Sequence, residues 1–148
     1  MTQEATMGAD EAAIRAEIDA ITQAVQLRDV HEMLMHCAPD IVTFDMLPPL
    51  KHEGAQAIRR EWASALSPID GPVEYEVRDL DIAIGGDVAF AHSLNRFEGT
   101  GRDGRRSVSW LRSTLGFRRI EGRWKLVHEH VSVPFDMGTS KALLNLQP

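Results

Sequence analysis

The chain has 148 residues, of which 43% are hydrophobic and 26% charged, and its net charge is −6. These values are typical of a globular domain and exclude a disordered or collagen-like chain, while the single cysteine, Cys37, excludes an intrachain disulfide. The negative charge argues against a nucleic-acid partner, and no apolar run approaches the roughly 20 residues of a membrane-spanning helix. The polar, acidic N-terminus is unlike a targeting peptide. We therefore expect one cytoplasmic domain.

The first half of the sequence predicts three helices and a short hairpin. Apolar residues repeat at intervals of four, three and four, which is the spacing of one helical face: Ile14, Ile18, Ile21 and Val25. Asp10 is predicted to cap this first helix, and Asp29 a second, short helix. A short strand then ends at Asp45. A third helix follows Gly54, with Trp62 on its apolar face.

The second half predicts an antiparallel meander. Its four long segments are rich in β-branched and aromatic residues: 73–84, 88–99, 105–119 and 123–134. Because such long strands bend, we expect an α+β fold in which a cone-shaped, curved, mixed or antiparallel sheet wraps around the three helices and encloses a cavity. The expected organisation is a flexible segment 1–9, a cone domain 10–135 and a loosely attached tail 136–148.

Three segments carry a resemblance to a known family: FDMLPPL at 44–50, the run 110–136 and the closing KALLNLQP. They resemble the SnoaL-like, ketosteroid-isomerase-homologue group of the nuclear transport factor two-like superfamily. The resemblance implies the cone fold, a homodimer packed through the outer faces of the sheets, and a ligand pocket in each cone. The superfamily includes isomerases, cyclases, dehydratases and non-catalytic binding domains, so the fold carries over better than the function.

Two histidines stand out in the last strand. Strand alternation predicts that His128 and His130 project to one side and Glu129 to the other. Three interpretations stay open for the histidines: acid or base in a pocket, two ligands of a metal with His92 or Asp45 as a third, or a structural role. We expect no tightly held metal and no cofactor.

Arg112 lies in the preceding strand, on the same predicted face as Trp110 and Thr114. An arginine in so apolar a strand is expected either to bind a carboxylate or enolate oxygen of a ligand or to form a salt bridge. Counting back from the last hairpin places Arg112 near His130 across the two strands. We therefore expect Arg112 and His130 to form the polar end of the cavity.

For Asp45 the resemblance adds a role, since ketosteroid isomerase has its proton-abstracting carboxylate in this neighbourhood. The alternative is a turn residue that bonds the backbone ahead of Pro48. The isomerase also uses a tyrosine to bind the oxyanion, but the one tyrosine here, Tyr75, lies outside the first helix. The resemblance therefore does not carry the steroid-isomerase oxyanion site over to this chain.

The resulting hypothesis is a cofactor-free acid/base isomerase, cyclase or dehydratase that acts next to a carbonyl. The ligand would be a small apolar organic molecule with a carbonyl or carboxylate. Asp45 or His130 would move the proton, and Arg112 would hold the developing oxyanion. The substrate-binding residues would be Trp62, His92, Trp110, Thr114 and His128. The alternatives are a non-catalytic ligand-binding domain and a dimerisation module with a filled cone.

Overall fold

The computed structural model describes residues 2–148. Three helices come first in the fold, interrupted by a short hairpin, and four long strands follow. The elements are α1 (Gln3–Gln26), α2 (Val30–Met35), β1 (Cys37–Phe44), β2 (His52–Glu53), α3 (Ala55–Leu66), β3 (Ile69–Gly85), β4 (Val88–Gly101), β5 (Arg106–Ile120) and β6 (Arg123–Ser132).

The six strands form one mixed sheet in the order β2-β1-β6-β5-β4-β3. All neighbours are antiparallel except β1 and β6, which run parallel. The long strands curve around the helices, as their length requires. This confirms the predicted α+β fold with a curved sheet wrapped around three helices.

The core lies between α1 and the inner face of the sheet. Ile14 and Ile18 of α1 are buried, as the helical spacing predicts, against Phe117, Trp124 and Leu126 of β5 and β6. Full burial of each such side chain contributes roughly 1.5–3 kcal/mol. The packing of α1 on these strands fixes the closed end of the cone.

The N-terminal helix is longer than the sequence suggested. It begins at Gln3, and the Thr2 hydroxyl accepts a hydrogen bond from the Ala5 N–H at its start. Residues 3–9, expected to be flexible, are therefore helical. Asp10 therefore lies within the helix and not at its cap, and its carboxylate accepts two hydrogen bonds from Arg119.

A β-bulge in β6 sets which side chains face inward. Gly116 pairs with His128 but the next residue of β5, Phe117, pairs with Leu126, so Val127 is an extra residue. A bulge of this kind breaks the alternation of side chains along the strand. Leu126 and Glu129 consequently face inward together, whereas simple alternation had put them on opposite sides.

The C-terminal tail is attached to the sheet. The Trp110 N–H donates to the Leu144 carbonyl, the Leu143 N–H donates to the Pro134 carbonyl, and Phe135 bridges to Ala142. This corrects the expectation of a loosely held tail. In the part of the chain that the structure describes, no helix is both long and apolar enough to span a membrane.

Candidate functional site

A cavity of about 530 Å³ lies between the helices and the inner face of the sheet. Its wall is mostly apolar, with side chains from α1, α3 and four strands, among them Ile18, Ile21, Val25, Trp62, Val77 and Leu115. Met46 and Leu47, which follow β1, and Leu144 of the tail also line the cavity and are each about half exposed. These two segments therefore border its opening.

Two carboxyl groups face this cavity from adjacent strands. Glu129 of β6 is the register partner of Thr43 in β1, and Asp45 follows two residues later on the same face. One Asp45 oxygen also accepts a hydrogen bond of 2.6 Å from the Met46 N–H. Asp45 thus combines the two predicted arrangements, a turn residue and a cavity carboxyl.

Burial changes the acidity of Glu129. Loss of water around the side chain, followed by the nearby Asp45 charge, raises its pKa from 4.5 to about 7. A carboxyl with this pKa is present in both protonation states near neutral pH. It is therefore suited to take a proton and to return it.

A chain of three polar side chains lines the same cavity, on β3 and β4. The Ser93 hydroxyl donates to the Asn95 side-chain oxygen over 2.7 Å, and the Asn95 amide donates to the Tyr75 hydroxyl over 2.6 Å. Burial, and then the charge of Glu129, raises the pKa of Tyr75, so the phenol is neutral. Because its oxygen already accepts from Asn95, Tyr75 retains its own proton to donate to a ligand oxygen.

The structure separates the sequence-predicted site residues into two groups. Asp45 and Trp62 line the cavity. Six others do not: His92, Trp110, Arg112, Thr114, His128 and His130. These six lie on the outer face of the sheet because the bulge reverses the β6 alternation and because β4 and β5 turn their odd-numbered residues inward.

Arg112 and His130 therefore do not form the polar end of the cavity, and that prediction is wrong. Arg112 pairs with Ser132 and His130 with Thr114, so the two are also two residues out of register. Both are exposed. The Arg112 guanidinium donates to the Ser132 hydroxyl over 3.2 Å, a contact on the outer surface.

His128 is held by local contacts on the same outer face. One of its ring N–H groups donates to the Val42 carbonyl over 2.7 Å, and its ring lies edge-on to Phe44 at 4.8 Å. Gly116 lies opposite it, and a Cβ atom there would come within 3.3 Å of the His128 Cβ. The absence of a side chain at Gly116 thus accommodates the imidazole outside the cone.

Sequence reasoning did not single out Glu129, Tyr75 or Asn95 as the polar residues of the cavity. Two signals were present. Tyr75 and Val77 alternate along β3, and Ser93, Asn95 and Phe97 along β4, in the pattern of a partly polar inner face. Under strict alternation Glu129 shares its face with Val127 and Val131, and a carboxylate on so apolar a face is unusual.

Within residues 2–148, no group of three His, Cys, Asp or Glu side chains is arranged as ligands for a metal ion. Cys37 is buried, and burial raises the pKa of its thiol to about 12, which makes it a poor nucleophile.

Solved structures share this architecture. An NTF2-like protein of unknown function from Pseudomonas putida KT2440 is 38% identical with a TM-score of 0.87, over 95% of this chain and 98% of that one. A ketosteroid isomerase-like protein from Erwinia carotovora atroseptica is 19% identical with a TM-score of 0.71, over 82% and 93%. A protein with a cystatin-like fold from Nostoc punctiforme is 17% identical with a TM-score of 0.70, over 83% and 90%.

None of the curated proteins compared with the chain matches it. The SnoaL-like domain family matches over residues 14–136, which includes the cavity carboxyls, the tyrosine and all six strands. The chain is therefore a member of the SnoaL-like domain family with the NTF2-like cone fold.

Proposed function

We propose that the protein catalyses cofactor-free proton transfer next to a carbonyl in a small, mostly apolar molecule. The observation that carries this proposal is the carboxyl of Glu129, which faces the cavity beside Asp45 with its pKa raised to about 7. Acid/base catalysis is most effective when the pKa of the group lies near the working pH. Perturbed carboxyls in a cavity are characteristic of catalytic sites.

The cavity supports the choice of ligand. Its volume of about 530 Å³ falls within the range of small-molecule sites, which are mostly apolar with a few placed polar groups. Trp62 supplies part of the flat apolar wall. The ligand that fits this chemistry is a ring-containing molecule with one carbonyl oxygen.

In the proposed reaction, the Glu129 carboxylate takes a proton from the carbon next to the carbonyl. The electron pair of the broken C–H bond moves into the enolate, and the Tyr75 O–H donates a hydrogen bond to the enolate oxygen. Protonated Glu129 then returns the proton to a carbon, which gives isomerisation, or to a leaving hydroxyl, which gives dehydration. Asp45 serves as the second carboxyl, whose charge helps to raise the pKa of Glu129.

The test uses 2-tetralone, a small ketone with acidic protons beside its carbonyl, in deuterated water. Proton NMR follows the exchange of those protons for deuterium. The Glu129→Gln variant should lower the enzyme-catalysed exchange rate by about 100- to 10,000-fold, the usual contribution of a general base. The matched control is Glu76→Gln, which removes an exposed carboxylate of β3.

An unchanged exchange rate in Glu129→Gln would refute the proposed role of Glu129.

The second candidate function is ligand binding without catalysis, which the internally bonded Ser93–Asn95–Tyr75 chain favours. It predicts that 2-naphthol, a phenol of similar size, binds with a fluorescence change while 2-tetralone exchanges no faster than in buffer. The open cavity argues against the third alternative, a filled cone.

We further propose a homodimer packed through the outer face of the sheet. Phe44, Val88 and Phe90 lie on this face and are 39%, 54% and 52% exposed, which is unusual for large apolar side chains grouped on one surface. Light scattering should give the mass of a dimer, and Phe90→Glu should give that of a monomer. A wild-type monomer at micromolar concentration would contradict the assembly. The cytoplasmic location stays a prediction from the sequence.

A further inference from the structure

Behind Asp45 lies a buried cluster of three polar side chains that does not line the cavity. Glu61 of α3 is 4% exposed and His52 of the edge strand β2 is 10% exposed. The His52 Nε2 atom lies 3.4 Å from one Glu61 oxygen, and the Thr43 hydroxyl donates to that oxygen over 3.5 Å. The proposed reaction uses neither Glu61 nor His52.

Within residues 2–148, Glu61 is buried without a lysine or arginine partner. Two atoms of the cluster, Glu61 Oε1 and His52 Nε2, have no hydrogen-bond partner within residues 2–148. A buried carboxylate without a cation is costly, and the group avoids that cost by keeping its proton. Asp45 lies two residues beyond Thr43, which contacts Glu61, and a hydrogen bond between the two carboxyl groups contributes to the raised pKa of Glu61. Two carboxylates only accept hydrogen bonds, so this contact requires a proton between them.

The surrounding charges act in the same direction. Burial, the hydrogen bond to Asp45 and the charges of Asp45 and Glu129 together raise the pKa of Glu61 to about 8, against a smaller opposite effect of Thr43. These are the groups that face Glu61 from β1 and β6, and His52 faces it from β2. Glu61 is therefore a proton donor at neutral pH, placed between a cavity carboxyl and an imidazole.

We propose that Glu61 and His52 form a proton relay that connects the cavity carboxyl Asp45 to the edge of the sheet at β2. Glu61 gives its proton to Asp45 along their hydrogen bond and takes one from the protonated His52 at Nε2. His52 then regains a proton from solvent. The net change is one proton moved from solvent to Asp45, and the reverse sequence carries a proton out. Neither Glu61 nor His52 touches the ligand.

This inference rests on the proposed function and adds a route for its protons. Without a relay, the cavity carboxyls exchange protons with solvent only through the opening, which a bound ligand fills. With it, Asp45, which lies on the same sheet face as Glu129, exchanges its proton with solvent while the ligand stays in place.

The first test does not depend on catalysis. Infrared spectra of the wild-type protein, recorded between pH 7 and 8, report the carbonyl band of a protonated carboxylic acid. Because Glu129 also contributes to this band near pH 7, the comparison is made in the Glu129→Gln variant. We expect the band to persist in Glu129→Gln and to be lost when Glu61→Gln is added to it. A band that is absent from Glu129→Gln, or one that is unchanged in the double variant, would overturn the relay.

The second test measures proton delivery. In the 2-tetralone assay, Glu61→Gln and His52→Gly should each slow deuterium exchange by about tenfold, while the affinity for 2-naphthol changes less than about twofold. Added imidazole should restore exchange in His52→Gly, and pyrrole, a ring of similar size without a basic nitrogen, should not. Wild-type exchange rates in both variants, or equal rescue by pyrrole, would overturn the relay.

The two tests separate the two proposals. If 2-tetralone does not exchange even with the wild-type protein, the proposed function fails for this ketone, while the infrared band still decides whether Glu61 holds the proton that the relay requires. If exchange occurs and Glu129→Gln abolishes it, a wild-type rate in Glu61→Gln rejects the relay alone.

Discussion

Two regions of the molecule bury acidic side chains and treat them in opposite ways. Where α1 packs on the sheet, Asp10 accepts hydrogen bonds of 2.8 and 2.9 Å from Arg119, whose guanidinium stacks on Trp124 at 4.6 Å. The hydrogen bond from Arg119 holds the pKa of Asp10 below its ordinary value. This acid is ionised and paired, and it joins the first helix to two strands.

In the cavity region, three carboxyls lie together without such a partner. Within residues 2–148, no lysine or arginine forms an ion pair with Asp45, Glu61 or Glu129. Burial raises the pKa of Glu61 and Glu129, whereas the pKa of Asp10 is lowered. The comparison shows that a cation turns a buried acid into a structural link, and that its absence leaves an acid that holds and releases a proton near neutral pH.

The largest expected effect on stability is at the paired acid. Arg119→Met removes the cation and leaves Asp10, which is 9% exposed, without its partner, so the midpoint of thermal unfolding should fall more than in any other variant described here. Because the pKa of Asp10 is lowered in the folded state, this stabilisation is present above the ordinary pKa of 3.8 and disappears as the pH falls below it.

Calorimetry over a pH series measures this difference. The matched control is Arg118→Met, which removes the neighbouring, exposed arginine on the opposite face of β5 and should leave the midpoint nearly unchanged. Equal midpoints for the two variants would show that the Asp10–Arg119 pair does not stabilise the fold.

Glu129, the acid without a cation, should change the pH dependence of the free energy of unfolding in the opposite direction to Asp10. The folded-state pKa of Glu129, about 7, lies above its ordinary value of 4.5, so the folded protein loses stability as the pH rises through this interval. Glu129→Gln does not titrate and should raise the free energy of unfolding at pH 8 by about 2–3 kcal/mol, with little change at pH 4. Urea unfolding at both pH values checks this, and destabilisation at pH 8 would contradict it.

Tyr75, a neutral group in the cavity, should have a smaller effect on the free energy of unfolding. Tyr75→Phe removes the oxygen that accepts from the Asn95 amide and leaves that donor unpaired. The free energy of unfolding should fall by about 1–2 kcal/mol, independently of pH between 5 and 8, and 2-naphthol should bind more weakly. Ser109→Ala removes a different cavity hydroxyl and is the control. A pH-dependent loss in Tyr75→Phe would contradict the neutral role.

The smallest expected effect distinguishes the two causes of the raised pKa of Glu129, burial and the charge of Asp45. Asp45→Asn removes the second cause of the raised pKa of Glu129 and leaves the first, which is burial. The pKa of Glu129 should therefore fall but remain above 4.5. Carbon NMR of the glutamate side chains measures this titration. A fall to the ordinary value would show that Asp45, and not burial, controls the acidity of the site.

The fold could be predicted from the sequence because its signals are local. The stripe from Ile14 to Val25 and the four long β-branched segments specify a helix and a meander wherever they pack. Apart from Asp45 and Trp62, the site could not be predicted, because the direction of a side chain depends on register. If side chains alternated strictly along β6, His130 would face the same side as Trp124. The extra residue Val127 breaks this alternation, so the two face opposite sides.

Long-range partners were equally hidden from the sequence. Arg119 stands beside a turn and resembles a solvated residue, yet its partner Asp10 is more than a hundred positions away in the chain. His52 and Glu61 belong to an edge strand and a helix, and nothing in their local sequence places them behind Asp45. Such clusters are created by the tertiary fold alone.

The bulge at Val127 has a consequence for how chemistry is inherited in this fold. In a regular strand the segment His128-Glu129-His130 would present two imidazoles to the cavity, whereas with the extra residue it presents one carboxyl. The same three residues therefore present different side chains to the cavity, and the gain or loss of one residue in the strand selects between the two arrangements without any substitution. The distance of this segment from the bulge, and not its order of residues, determines which side chain faces the cavity.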